Sequence, residues 1–324
     1  MTRSDHFDGR KFFNPRISGD KTLGDLYRWM TSGQRKKWPK HVGNRFKPIL
    51  PAEIPAGETA LTFINHSTFL IQFAGLNLLT DPVFSERASP VSWAGPKRVR
   101  APGLPLDDLP PIHVVLVSHN HYDHMDMPSL KKLSARFDPL FITPLNNGRI
   151  LRRHGIRSVI ELDWWQSHKF DDSTSITATP AQHFSSRTPF DRNRALWSGF
   201  LIQRDQLRVY FAGDSGYEQH FKEIREKLGP PDVALLPIGA YEPRWFMQSV
   251  HLDPEEAVQA HLDLGSPQTI AMHFGTFQLT DEGINEPLQA LAQSLQSYQV
   301  TPGRFKALEF GETLIWRKVA ELSA

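Results

Sequence analysis

The sequence predicts a four-layer α/β/β/α sandwich. The observation that leads there is that strands open each half of the chain and helices follow them. A second bounds the setting: no apolar run nears the roughly 18 residues of a membrane-spanning helix, so a soluble or at most peripheral chain is expected. A third is length, since 324 residues supply ample core for two stacked sheets.

Taken in order, residues 1–57 read as a loop-rich arm with Pro15, Pro39, Pro48, Pro51 and Pro55 and one helix over 23–32. Residues 58–324 read as the body. Segments 60–64, 69–73 and 76–80 alternate as a small antiparallel meander, with turns near 65–67 and Gly75. A basic Gly/Pro loop over 90–105 precedes an apolar strand at 113–118. Pro128 suits the first turn of a helix reaching about 137. Segments 141–144 and 158–162 read as strands flanking a short helix at 148–154. Strands are expected at 175–180, 195–202 and 208–212, and a helix over 217–228 that Gly229 and Pro230 stop. A buried strand at 233–237 follows. Asp253-Pro254-Glu255-Glu256 carries a helix start, with Asp as cap, Pro first and Glu three after the cap. That helix ends at Gly265. A strand at 269–272, a helix at 286–298 and a closing hairpin of 307–310 with 313–316 complete the chain.

Composition narrows the chemistry. The chain has 14 His and no Cys, so disulfides, thiolate metal ligands and cysteine nucleophiles are excluded. Any metal must be held by His, Asp or Glu, which suits zinc, iron or manganese. The net charge of +2 is uneven. Residues 1–50 carry 12 Lys or Arg and 4 Asp or Glu, net +8; the rest carry 25 and 31, net −6. Aromatic residues Phe7, Phe12, Phe13, Tyr27, Trp29, Trp38 and Phe46 interleave with those charges. Such an arm either packs on the body with solvated cations or meets an anionic surface. The polar N-terminus shows no secretory signal, so a cytoplasmic protein is expected, peripheral on a membrane at most.

The strongest motif is Ser118-His119-Asn120-His121-Tyr122-Asp123-His124, directly after an apolar strand. Three imidazoles and a carboxylate lie within six residues. An extended loop there turns His119 and His121 to one side, while Asp123 and His124 reach a second point nearby. Four ligands exceed what one open catalytic metal uses, so two metals are expected roughly 3.5–4 Å apart. His183 in QHF, Asp214 in AGDSG and His273 in MHFG each end an apolar strand beside small residues. Alone, each reads as an ordinary turn or core residue; beside the first motif they read as the missing ligands.

The order His-x-His-x-Asp-His, His, Asp, His resembles the metallo-β-lactamase superfamily. TDPVFSERASP (80–90), GPKRVR (95–100), VIELDWW (159–165), PIGAYEPRWFM (237–247), HLDPEEA (251–257) and HFGTF (273–277) resemble more closely its branch of N-acylphosphatidylethanolamine-hydrolysing phospholipases D. The likeness spans about residues 58–316. It implies a metallo-β-lactamase sandwich with two zinc ions. His119, His121 and His183 would hold one, Asp123, His124 and His273 the other, and Asp214 would bridge them. A hydroxide would attack the phosphodiester, with Asp123 also moving a proton near the leaving oxygen. Tyr122 and His251 are implied at the substrate phosphate, and His66 and Asp81 as supports that orient ligands. The implied products are phosphatidic acid and an N-acylethanolamine. The family also uses its front region for membrane contact and dimerisation, so a homodimer and a peripheral lipid contact through the arm are expectations here.

Rival readings are a lactonase or small phosphodiester hydrolase of the same fold acting on a soluble substrate, a nucleic-acid phosphodiesterase, and a metal-bound scaffold without turnover. The body's net −6 argues against nucleic acid. The complete ligand series argues against the scaffold.

Overall fold

The computed structural model describes residues 4–16 and 21–318. The arm contributes α1 (Leu23–Met30), whose start is fixed by a capping box between Thr22 and Asp25. The body opens with an antiparallel meander of β1 (Glu58–Asn65), β2 (Thr68–Phe73) and β3 (Leu76–Thr80). Then β4 (Val114–Leu116), β5 (Leu140–Pro144) and β6 (Val159–Leu162) extend that sheet in parallel. Helices α2 (Met127–Phe137) and α3 (Gly148–Arg153) make the crossovers.

The second sheet repeats the plan. β7 (Ser167–Lys169), β8 (Thr174–Thr179), β9 (Gly199–Arg204) and β10 (Leu207–Phe211) are antiparallel. β11 (Val233–Pro237), β12 (Gln268–Met272) and β13 (Phe305–Lys306) continue in parallel. Their connections carry α4 (His220–Leu228), the short α5 (Arg244–Met247), α6 (Pro254–Leu264) and α7 (Glu286–Ser297). The last strand, β14 (Thr313–Arg317), returns to the first sheet beside β1. Two seven-stranded sheets with helices outside give the expected four-layer metallo-β-lactamase sandwich.

Strand alternation sorts the core. Leu61, Phe63, Phe69, Ile71, Leu78, Val114 and Leu116 pack toward the second sheet's Ile176, Ala178, Phe200 and Ile202. Their neighbours Ile64, Leu70, Leu79, Val115 and Val117 pack with Leu130 and Leu133 of α2 and Leu151 of α3. Each fully buried Leu or Phe contributes about 2–3 kcal/mol of transfer free energy. The capping box expected at the start of α6 is present: Asp253 Oδ1 accepts from the Glu256 amide at 2.8 Å.

Several expected boundaries shift. The strand foreseen at 195–202 begins only at Gly199, because Leu196 and Ser198 spend their amides on Leu145 and Ser118 in loops of the other half. The helix foreseen at 217–228 starts at His220, since the Gly216 amide is tied to the Gln182 carbonyl and the Tyr217 hydroxyl to Asp263. The closing hairpin is not formed. Phe305–Lys306 pairs with β12, whereas Thr313–Arg317 pairs with β1 in the opposite sheet. Between them Leu308 and Phe310 plug the sandwich interior instead of pairing.

The arm lies along the body. Phe12 is buried with Ala181, Leu196 and Trp197. Trp29 Nε1 donates to Asp281 Oδ2 at 2.9 Å, and Trp38 Nε1 to the Glu282 carbonyl at 2.8 Å. Arg16 pairs with Glu218 and Glu223, and Lys36 with Glu286. Residues 1–3, 17–20 and 319–324 of the expected arm and body lie outside the described residues.

Candidate metal centre

The ends of several strands meet at one edge of the sandwich, the usual place for a ligand in sheets of this kind. Asp81 follows β3, His119 follows β4, His183 follows β8, Asp214 follows β10 and His273 follows β12. His66 sits in the turn between β1 and β2. Its carbonyl accepts the His273 amide at 2.7 Å, which ties the two sheets together at the site. Gly213 has φ +60°, and a Cβ there would come 2.8 Å from Ser118 Cβ. Only glycine lets the Asp214 turn approach the His119 loop so closely.

The described donors fall into two triads. His119 Nε2 lies 2.8 Å from His121 Nδ1, which lies 3.3 Å from His183 Nε2. Asp123 Oδ2 lies 3.5 Å from both His124 Nε2 and His273 Nε2. Asp214 stands between them. Its Oδ2 is 3.1 Å from His124 Nε2, 3.2 Å from His273 Nε2, 3.8 Å from His183 Nε2 and 3.9 Å from His119 Nε2. All seven residues expected as ligands are therefore together. Buried atoms His124 Nε2, His273 Nε2 and Asp214 Oδ1 have no hydrogen-bond partner among the described residues. Ring nitrogens and a carboxylate oxygen left without hydrogen bonds and converging this way fit metal ions, which displace any proton on the imidazoles.

The charge states differ between triads. Burial, reinforced by neighbouring histidines, holds His119 well below the ordinary imidazole pKa. Burial likewise holds His183 well below it and His121 at about 4. These three are neutral, as ligation requires. Burial also opposes charge on His124 and His273, but carboxylates outweigh it. Asp214, Asp123 and Asp81 hold His124 well above the ordinary value, and Asp214 with Asp123 raises His273 to about 9.

The supports stand behind the donors. Asp81 accepts from the Ser118 amide at 2.7 Å and hydroxyl at 2.5 Å, and its Oδ2 lies 2.6 Å from His124 Nδ1. The Ser118 hydroxyl is also 2.9 Å from His119 Nδ1, so one carboxylate reaches a donor of each triad. His183 Nδ1 lies 2.8 Å from the Val250 carbonyl. His66 Nε2 lies 3.1 Å from Asp123 Oδ2, and His66 can itself join the second triad as a donor.

A cavity of about 470 Å³ opens onto this centre. His121, Asp123, Asp214 and His251 form its polar end. Leu26 and Trp29 of the arm, with Phe184, Phe246, Val250 and Leu279, give it apolar surface elsewhere, and Lys21, Thr22, Arg192, Ser249 and Thr280 also line it. His251 Nδ1 is buried without a partner, 3.9 Å from Asp214 Oδ2. Tyr122 is placed differently from what the sequence suggested. Its hydroxyl donates to the Arg187 carbonyl at 3.0 Å, its ring lies under the Arg187 guanidinium, and it lines a neighbouring cavity.

Sequence reasoning passed over three contributors. Ser118 lay inside the quoted motif, where a hydroxyl next to a ligand was the available signal. Arg187 clamps the ligand loop by donating to the Asn120 and Met125 carbonyls at 2.8 and 2.9 Å, and nothing local marks it. Trp29 was visible as an aromatic residue among charges but not as cavity wall, and Leu26 was not singled out.

The β-lactamase superfamily domain matches residues 76–274. With that match and this centre, the chain belongs to the metallo-β-lactamase superfamily and is a metal-dependent hydrolase of that fold. An N-acyl-phosphatidylethanolamine-hydrolyzing phospholipase D of Caenorhabditis elegans is 39% identical over 267 residues, 79% of this chain and 74% of that protein. An uncharacterized Mycobacterium tuberculosis protein is 39% identical over 273 residues, 81% of this chain and 72% of its own length. A metallo hydrolase structure from Ignicoccus hospitalis superposes with TM-score 0.62 at 24% identity, covering 81% of this chain and all of that one.

Proposed function

We propose that this chain is a dinuclear zinc phosphodiesterase of phospholipase D type, acting on N-acylphosphatidylethanolamine-like lipids. The observation that carries the reading is the cavity: the metal donors His121, Asp123 and Asp214 share it with an apolar wall, partly from the arm, and with the cations Lys21 and Arg192. That polarity suits an amphiphile whose phosphate is the reacting group. The likeness to the worm enzyme supports the same substrate class.

His119, His121 and His183 would hold one ion, Asp123, His124 and His273 the other, with Asp214 shared. Bound dications neutralise phosphate oxygens and make water acidic enough to supply a nucleophile near neutral pH. The chain's own groups do the rest. Asp123 faces the cavity and is placed to exchange a proton with water or the leaving alcohol. The His251 imidazole, whose Nδ1 has no hydrogen bond among the described residues and which lines the same cavity, is placed to donate to a phosphate oxygen. Leu26, Trp29, Phe246 and Leu279 exclude water and seat acyl chain. The phosphorus gains water oxygen, the bond to the N-acylethanolamine oxygen breaks, and that oxygen leaves protonated. Tyr27, Met30 and Trp245, exposed on helices that also line the cavity, support contact with a lipid surface.

The test is mass-spectrometric analysis of products from N-acylphosphatidylethanolamine, with metal content measured in parallel. Phosphatidic acid and N-acylethanolamine are expected, and both should vanish in His121→Ala and Asp214→Ala. A fully metallated protein that leaves this lipid intact but opens a lactone would overturn the reading.

A further inference from the structure

The GPKRVR segment takes no part in the metal centre, yet it builds a second cavity of about 620 Å³. One wall is the arm, with Arg35, Trp38, Pro39 and Lys40; the other is Gly95, Pro96, Lys97, Arg98 and Val99, closed by Gln278. The walls are fixed by backbone bonds. The Val42 amide donates to the Val99 carbonyl at 2.8 Å, the Val99 amide to the Thr276 carbonyl at 2.9 Å, and the Lys36 amide to the Asp281 carbonyl at 3.0 Å.

Four cations and no carboxylate line this space. Arg98 is 8% exposed. Its guanidinium donates to the Ser85 and Val83 carbonyls at 2.8 and 2.9 Å and rests over the Phe277 ring, so it cannot swing to water. Neither Arg98, Arg35 nor Lys40 has an ion-pair partner among the described residues. Lys97 alone is paired, to an exposed Glu86 at 2.9 Å. A buried, immobilised guanidinium with no carboxylate in ion-pair contact is costly even with Asp126 and Glu86 acting on it from farther off, and further like charges around one cavity raise that cost. The arrangement is favourable when an anion with several acceptor oxygens sits among them.

We propose that this cavity is an anion site for a phosphate group, separate from the metal centre. The group comes either from a free phosphate compound or from the headgroup of an anionic phospholipid. Trp38 and Pro39 give it an apolar shoulder on which the rest of such a molecule can lie. The site stands on its own geometry and is independent of which ester the metal centre cleaves.

The test titrates the metal-loaded full chain with inorganic phosphate by calorimetry. The chain is compared with an Arg35→Ala, Lys40→Ala double variant, whose substitutions are at exposed positions away from the metal donors. Two phosphate sites are expected in the parent, one of them at the metals. The double variant should keep that one and weaken the other about tenfold or more, with unchanged turnover of bis-p-nitrophenyl phosphate. Equal stoichiometry and affinity in both proteins would overturn the proposal. A vesicle arm separates the sources. Loss of binding to phosphatidic-acid vesicles, but not to phosphatidylcholine vesicles, in the variant assigns the headgroup. Unchanged vesicle binding with lost calorimetric binding assigns a soluble phosphate.

Discussion

Asp81 Oδ2 lies 2.6 Å from His124 Nδ1, with both side chains wholly buried. The carboxylate fixes the ring so that Nε2 faces the other donors. Asp81→Asn keeps the shape but removes the charge. Metal affinity at the second triad should fall about 10–100-fold, while His119, His121 and His183 still bind. Competition with a chromogenic chelator, counting ions retained, checks this. Two ions retained at parental affinity would refute it.

Proton release should separate the two sites. At pH 7 the first triad is neutral, because burial keeps His121 near 4 and the others well below the ordinary value. In the metal-free protein His273, raised to about 9, and His124, raised well above the ordinary value, are protonated at that pH. The first ion should bind with almost no proton release and the second with release of one or two. Affinity for the second ion should rise with pH until about 9 and then level as far as His273 governs it. Calorimetry in buffers of different ionisation enthalpy reads the proton count. Equal release at both sites would contradict the assignment.

The arm's contribution to the cavity predicts a substrate-dependent defect. Trp29→Ala should lower kcat/KM for a long-chain N-acylphosphatidylethanolamine about tenfold, the worth of partial apolar burial. Hydrolysis of bis-p-nitrophenyl phosphate should change less than twofold, since it needs only the metal end. Equal losses on both substrates would place Trp29 in folding rather than in substrate seating.

A backbone contact predicts a structural lesion at the site. A Cβ on Gly239 would come 2.2 Å from the His273 carbonyl oxygen. Gly239→Ala must therefore push the His273 segment away and should cost ~3 kcal/mol or more. Chemical denaturation and metal content together check it. Parental stability with two ions bound would be inconsistent with this packing.

Much of the centre could be read from the chain because its core is local. His119, His121, Asp123 and His124 lie in six residues, and an apolar strand before them announces where they sit. His183, Asp214 and His273 were found as a series in order, through resemblance more than through spacing. What escaped the sequence depends on contacts between distant segments. Arg187 meets the ligand loop across more than sixty residues, and Trp29 meets Asp281 across 252. Tyr122 turns toward Arg187 and a neighbouring cavity, an orientation that loop position alone does not give. The false hairpin at 307–316 has a similar cause: two short apolar runs near a Gly-Glu turn satisfy strand patterning equally well in one sheet or in two.

The crossing of that last segment has a consequence for synthesis. β1 pairs on one side with β2 and on the other with β14, and the Phe63 amide donates to Glu312 while the Gly311 amide donates to Phe63. During translation, the strand leading into His66 thus keeps a bare hydrogen-bonding edge until residues 311–317 emerge. That edge, next to the future metal site, stays open to wrong partners until β14 has been made, about 250 residues after β1.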